Sequence, residues 1–156
     1  MSGDVVKRCV EIGAGQFTAD TALEWLADIV RSLRTEPFAA CGNAGTFTAQ
    51  EEQMGTVEIN PVSKLPVGAS QRRNLHFTAS DALTRILMQS ALTDDLVALL
   101  ENDDPIASAF GKALAQELVL NRRASIGNFG VWSVGQKPNL QRFVRFRPRP
   151  AINQML

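Results

Sequence analysis

Apolar positions follow two periods along this chain, and the switch from one to the other happens twice. Val5, Val6, Cys9 and Val10 give Asp4 to Ile12 one apolar face, a short helix that Gly13-Ala14-Gly15 ends. Thr18 is placed to cap a second helix, with Ala22, Trp25, Leu26, Ile29, Val30 and Leu33 at helical spacing, and Pro37 stops it. From Phe38 to Gln50 the pattern is that of a β-hairpin turning at Gly42-Asn43-Ala44-Gly45. Glu51 to Gly55 is polar. Thr56 to Gln71 holds two prolines and a glycine, which predicts an extended protrusion or a long loop. Arg72 to Phe77 reads as a strand, and Thr78 or Ser80 caps a helix over Asp81 to Ser90. Thr93-Asp94-Asp95 caps a short helix from Leu96 to Glu101, and Asp103-Asp104-Pro105 opens a longer one with Ile106, Phe110, Leu114 and Leu118 on one stripe. A hairpin at Gly127 to Gly130, a polar turn from Gly135 to Gln141, a strand from Gln141 to Arg147 and a terminal helical turn from Ala151 to Leu156 complete the series.

The series is one unit written twice. Gly-Asn-x-Gly stands at Gly42 to Gly45 and again 85 positions later at Gly127 to Gly130. At the same offset Phe110, Leu114 and Leu118 fall on Trp25, Ile29 and Leu33. Arg73 to Leu83 aligns with Arg142 to Ile152 at an offset of 69, so the second copy is sixteen residues shorter between its hairpin and its last strand. The expected division is 1–90, with a long arm at about 51–71, and 91–156, with the arm shortened. A unit of about 75 residues is marginal alone, so two packed together is the expected solution.

Composition narrows the class. With 156 residues and 45% hydrophobic content the chain can bury a core without a staple. It has no apolar run of 18 residues, and Met1-Ser2-Gly3-Asp4 lacks the basic-then-apolar pattern of a signal peptide, so the expectation is a cytoplasmic protein. Cys9 and Cys41 lack metal-ligand spacing and are expected as buried thiols. Sixteen basic residues balance sixteen acidic ones, yet from Pro105 onward eight Lys or Arg face the single acid Glu117, a local charge of +7. A neutral chain with one basic end can present an anion-binding face.

Ile126-Gly127-Asn128-Phe129-Gly130-Val131-Trp132, followed by Val144-Arg145-Phe146-Arg147-Pro148, resembles the bacterial histone-like HU/IHF proteins. Gly42 to Phe47, Asn60-Pro61 and Phe77 to Leu83 carry the likeness in the first copy. The resemblance implies an α+β fold of two repeats, each helix, helix, three-stranded antiparallel sheet and helix, packed as an intertwined pseudo-dimer with one long β-arm. It also implies a nucleoid-associated protein that binds double-stranded DNA through the minor groove and phosphate backbone, with Asn60-Pro61 as an arm-tip wedge. The chain departs from the family in three ways. Ile59 stands at the tip-arginine position, the second copy lacks an arm, and the net charge is zero.

The candidate DNA-contacting residues follow. Side chains alternate along a strand, so Arg145 and Arg147 share a face with Phe143 while Val144 and Phe146 share the other. Arg142 and Arg149 bracket the same strand, and Lys137 lies in the turn before it. Arginine suits phosphate through its planar donor fork. Asn60, Pro61, Lys64, Arg72 and Arg73 belong to the arm, and Arg122 and Arg123 close a helix, where cations are favoured in any case. Trp25, Phe110, Phe129 and Trp132 are expected in the core, and His76 in a structural role. Paired acids at helix starts are capping groups, and no nucleophile motif, phosphate loop or zinc spacing is present, so neither catalysis nor a cofactor is expected. The expected function is sequence-independent binding of duplex DNA with bending or compaction. The alternative is an HU-like scaffold that serves protein–protein interaction. Val62, Leu65 and Val67 equally suit packing on a second molecule, so self-association through the arm stays open.

Overall fold

The structure, a computed structural model, describes residues 4–53, 58–59, 66–67 and 71–156, with backbone alone at 52–53, 58–59, 66–67 and 71–72. The chain is mixed α+β. Helices α1 (Val5–Gly13) and α2 (Ala19–Ser32) precede strands β1 (Ala39–Ala40) and β2 (Gly45–Gln53). The short pair β3 (Glu58–Ile59) and β4 (Pro66–Val67) follows, then β5 (Gln71–Ala79) and α3 (Asp81–Gln89). Next come α4 (Asp94–Ala98), α5 (Pro105–Asn121), β6 (Arg123–Ile126), β7 (Gly130–Gln136), β8 (Arg142–Pro148) and α6 (Pro150–Asn153). Side-chain oxygens of Asp4, Thr18, Ser80, Thr93 and Asp104 accept from first-turn amides of α1 to α5, satisfying donors that a helix start leaves open. Of the two caps open to α3 in the sequence, Ser80 is the one used.

Two three-stranded antiparallel sheets form, in the orders β1-β2-β5 and β6-β7-β8. Their registers are the same under the offsets seen in the sequence. Ala39↔Phe47 and Ala40↔Thr46 in one sheet correspond to Ala124↔Trp132 and Ser125↔Val131 in the other. Gly45↔Ala79 and Phe47↔Phe77 correspond to Gly130↔Pro148 and Trp132↔Phe146. Register is set by which face is buried, because a one-residue slip would send every apolar side chain to solvent. Two sheets with one register therefore report one apolar code used twice.

The rings between the sheets make the relation reciprocal. Phe47 and Trp132 are equivalent, as are Phe77 and Phe146. Equivalent rings touch, with centroids 6.5 Å apart for Phe47–Trp132 and 6.3 Å for Phe77–Phe146. The crossed pairs match too, at 5.6 Å for Phe47–Phe146 and 6.0 Å for Phe77–Trp132. Trp25 and Phe110, equivalent on α2 and α5, meet at 5.4 Å. The ring contacts therefore follow the same pattern read from either sheet. The closing helices are exchanged in the same sense. α3 packs on β8 and α6 on β5, where Asn153 Oδ1 accepts from the Leu75 amide at 3.0 Å.

Gly45 and Gly130 are equivalent and share one reason. A Cβ on either would stand 2.5 Å from the Phe77 ring or 2.6 Å from the Phe146 ring, so each glycine is the floor under an aromatic. The halves differ at their long helices. α2 buries one stripe, Ala22, Leu26 and Val30, as its periodicity predicts. α5 is buried nearly all round, including Ala107, Ser108, Ala109, Gly111, Ala113 and Ala115, and α1 packs closely along it. The paired strands of the arm are also longer than the sequence pattern predicts. β2 runs through Glu51 to Gln53 and β5 starts at Gln71, so the first three polar residues after Gln50 are ladder. Glu58↔Val67 and Ile59↔Pro66 form a separate two-stranded antiparallel pair.

Candidate nucleic-acid interface

Alternation along β8 builds the site. Val144 and Phe146 point to the core, Phe146 4.7 Å from Trp132, which leaves Phe143, Arg145 and Arg147 on the outer face. The register then lines up neighbours. Arg123, Ser133 and Arg145 stand abreast across β6, β7 and β8, and Ser125, Val131 and Arg147 form the next rank. Arg149 follows Pro148, its backbone amide donating to Phe129 O at 3.0 Å. Arg123, Arg145, Arg147 and Arg149 are exposed and surround a shallow concavity of about 530 Å³ floored by Val131, Ser133 and Phe146. Among the described residues no carboxylate pairs with any of the four. At this spacing four guanidinium groups with no internal acid form an anion-binding surface, and their forked donors match phosphate oxygens.

Phe143 orders one end of this surface. Its ring lies on Gly135, where any Cβ would clash with it. The Arg145 guanidinium sits 5.1 Å from the ring centroid and Lys137 Nζ 5.9 Å. Such cation–π contacts contribute about 0.5–1 kcal/mol at exposed sites, enough to bias the rotamers of Arg145.

Other candidates lie elsewhere. Arg142 Nη1 donates to Leu87 O at 2.7 Å and to Ser90 Oγ, holding the C-terminal carbonyls of α3. Arg73 Nη2 donates to Leu33 O at 2.9 Å and does the same for α2. These two equivalent arginines are tied to helix ends within the chain, where cations are favoured. Arg122 is the left-handed C-cap of α5, with φ 61°, and Arg123 is the first residue of β6, so only the former closes the helix. Arg72 pairs with Glu52 through the backbone ladder. Asn60, Pro61 and Lys64 lie outside the described residues. Strand parity in the sequence already placed Phe143 on the face of Arg145 and Arg147, without a role, and Ser133 was not singled out.

The corresponding face of β1-β2-β5 is built differently. Positions equivalent to Arg123, Arg145, Arg147 and Arg149 hold Phe38, His76, Thr78 and Ser80, and those equivalent to Val131 and Ser133 hold Thr46 and Thr48. That face carries no Lys or Arg at any of these positions. Both cysteines are buried and free. Loss of solvent pushes the Cys9 thiol up to about 12 and raises Cys41 as well, so neither is a ready nucleophile. Among the described residues no cluster of His, Cys, Asp and Glu could hold a metal ion, and no helix is long and apolar enough to cross a membrane. Protein-family models, curated proteins and solved structures yield no match to this chain.

Proposed function

We propose that this chain is an HU-like single-chain pseudo-dimer that binds double-stranded DNA, largely without regard to sequence, through the outer face of β6-β7-β8. The observation that carries the reading is the set of four exposed, acid-free arginines on that one face. Shared register, reciprocal ring contacts and exchanged closing helices support the pseudo-dimer. Arginines over a strand face, without a set of side chains suited to base edges, favour phosphate contact over direct readout. Bending or compaction of the bound duplex, through the minor groove and from the arm, belongs to the same reading, as does a place in the cytoplasmic nucleoid. Bending a site of 20–30 base pairs costs about 1–6 kcal/mol, which the arginine contacts would have to offset.

The test is a gel shift on a straight and a pre-bent duplex at low and moderate salt, with Arg145→Ala/Arg147→Ala beside wild type. Binding that weakens with salt and collapses in the double variant supports the reading. No shift at low salt and micromolar protein sinks it. A second reading, an HU-like scaffold for a partner protein, is favoured by the bare face of β1-β2-β5. In that case the double variant loses an acidic protein partner and no duplex is shifted.

A further inference from the structure

Resting on the DNA-binding reading, we propose that the arginine contact with a duplex is one-sided, made on the β6-β7-β8 half of the pseudo-dimer alone, over a segment shorter than one helical turn. The two halves divide the equipment between them. The β6-β7-β8 half has the four arginines and a closed turn in place of an arm, with Lys137 N donating to Gln141 O at 2.8 Å. The β1-β2-β5 half has the longer ladder, nine pairs between β2 and β5 against seven between β7 and β8, and Phe38, Thr78 and Ser80 where arginines stand opposite. Ser80 is also committed to capping α3. A symmetric grip across both sheet faces would need cations at equivalent positions on both, and at these positions only the β6-β7-β8 face has them.

The dimensions bound the ligand. Three strands spaced at about 4.8 Å give a face about 10 Å across, and Arg145 to Arg149 spans about 13 Å along the chain. With duplex charge spaced at one per about 1.7 Å of axis, that length covers about four base pairs. The four arginines neutralise at most four phosphates, so their own share of the slope of log K against log salt is no steeper than about −3.6. The ligand class this fits is a short duplex segment or a duplex end, approached from one side.

Fluorescence anisotropy on a one-turn duplex (about 10 base pairs) and a two-turn duplex (about 20 base pairs) tests this across a salt series. Wild type should bind both lengths with equal per-site affinity and a slope near −3.6. Phe38→Arg/Thr78→Arg places charges at the equivalents of Arg123 and Arg147, both positions being exposed. That variant should prefer the two-turn duplex about tenfold and steepen the slope by about 1.8, two further phosphates at about 0.9 each. A wild type that already prefers the longer duplex tenfold, with a slope well beyond −3.6, engages both halves and overturns the one-sided contact while leaving DNA binding intact. Binding that is absent, or that ignores Arg145→Ala/Arg147→Ala, overturns both and assigns the arginine face to a protein partner.

Discussion

Trp132 allows two substitutions with opposite expectations. It is fully buried, with Phe146, Phe77, Phe110 and Phe129 within 6.0 Å by ring centroid, and Phe129 nearly parallel at 12°. Its Nε1–H has no hydrogen-bond acceptor among the described residues. Trp132→Ala empties the centre of the cluster, and such truncations cost about 3–5 kcal/mol. Trp132→Phe removes only part of the ring system, a loss of about 1–2 kcal/mol in burial and packing. It also removes the unpaired buried donor, whose burial costs about 1–3 kcal/mol. The two effects offset each other, so the expected net change is within about 1 kcal/mol, and phenylalanine is what the equivalent position Phe47 already carries. For a chain of this size that is a Tm change of about 2–4 °C at most, against about 6–20 °C for Trp132→Ala. Guanidinium and thermal unfolding followed by far-UV circular dichroism would measure both, since the substitution removes one of only two tryptophan fluorophores. If Trp132→Phe is as damaging as Trp132→Ala, the unpaired-donor reasoning is wrong and the indole nitrogen has a partner.

Three further predictions follow from the chain's interior and its shortest turn. Glu117 is 3% exposed and is held by Arg8, which also donates to Gln116 Oε1 at 3.0 Å, and by Asn121 Nδ2 at 2.7 Å. Arg8→Ala leaves that carboxylate buried with one neutral donor and should cost about 1–3 kcal/mol. Arg8→Ala/Glu117→Leu should recover most of the loss in urea unfolding, and failure to recover would mean the arginine acts through packing alone. Leu140 is 71% exposed at φ 69°, a left-handed conformation that costs an L-residue about 1–2 kcal/mol. Leu140→Gly gives up about 0.5–1 kcal/mol in chain entropy, so a small rise in Tm is expected, and a fall would contradict the turn geometry. The cysteines should resist iodoacetamide at pH 8 until denaturant is added. The folded Cys9 pKa, about 12, lies above its ordinary 9.0, so above pH 9 the unfolded chain ionises first and stability falls as pH rises toward 12. A pH-independent midpoint between 9 and 11 would count against that burial.

Element order, register and repeat were legible because they rest on period. The two offsets read from the sequence map the shared part of each ladder onto the other, both pairs of β1 with β2 and all seven of β7 with β8, since alternation of apolar residues is itself the register code. The burial of α5 was not legible. Ala107, Ala109, Gly111 and Ala113 do not stand out in an apolar stripe, yet their small size is what lets α1 lie close along the helix. Among the arginines, parity separated what residue type could not. Arg142 and Arg145 are three positions apart on one strand and so face opposite sides. The first reaches into α3, and the second joins the outer face. Arg73 has the same parity as its equivalent Arg142 and the same kind of partner, a helix-terminal carbonyl. Counting basic residues along the tail pooled groups that the pleat separates.

Joining two such units in one chain has a physical consequence that a pair of identical chains cannot reach. In a symmetric homodimer every substitution is made twice, so an arginine added to one ligand-facing strand appears on both, and an arm removed from one unit is lost from both. Here the positions near the shared centre are alike, with aromatic rings at Phe47, Trp132, Phe77 and Phe146 and glycine at Gly45 and Gly130. Those residues answer to packing against their own equivalents, where a change on one side must be matched on the other. The outer faces answer to solvent and ligand, and there the halves differ at Phe38 against Arg123, His76 against Arg145 and Thr78 against Arg147. The core positions are therefore alike in the two sheets while the surface positions differ. Zero net charge is compatible with polyanion binding on these terms, because four arginines of the basic last third share one face without a paired carboxylate among the described residues. Acids farther than about 8–10 Å from that face are largely screened at ordinary ionic strength. The local field at the arginine face, and not the net charge, then governs how salt weakens binding.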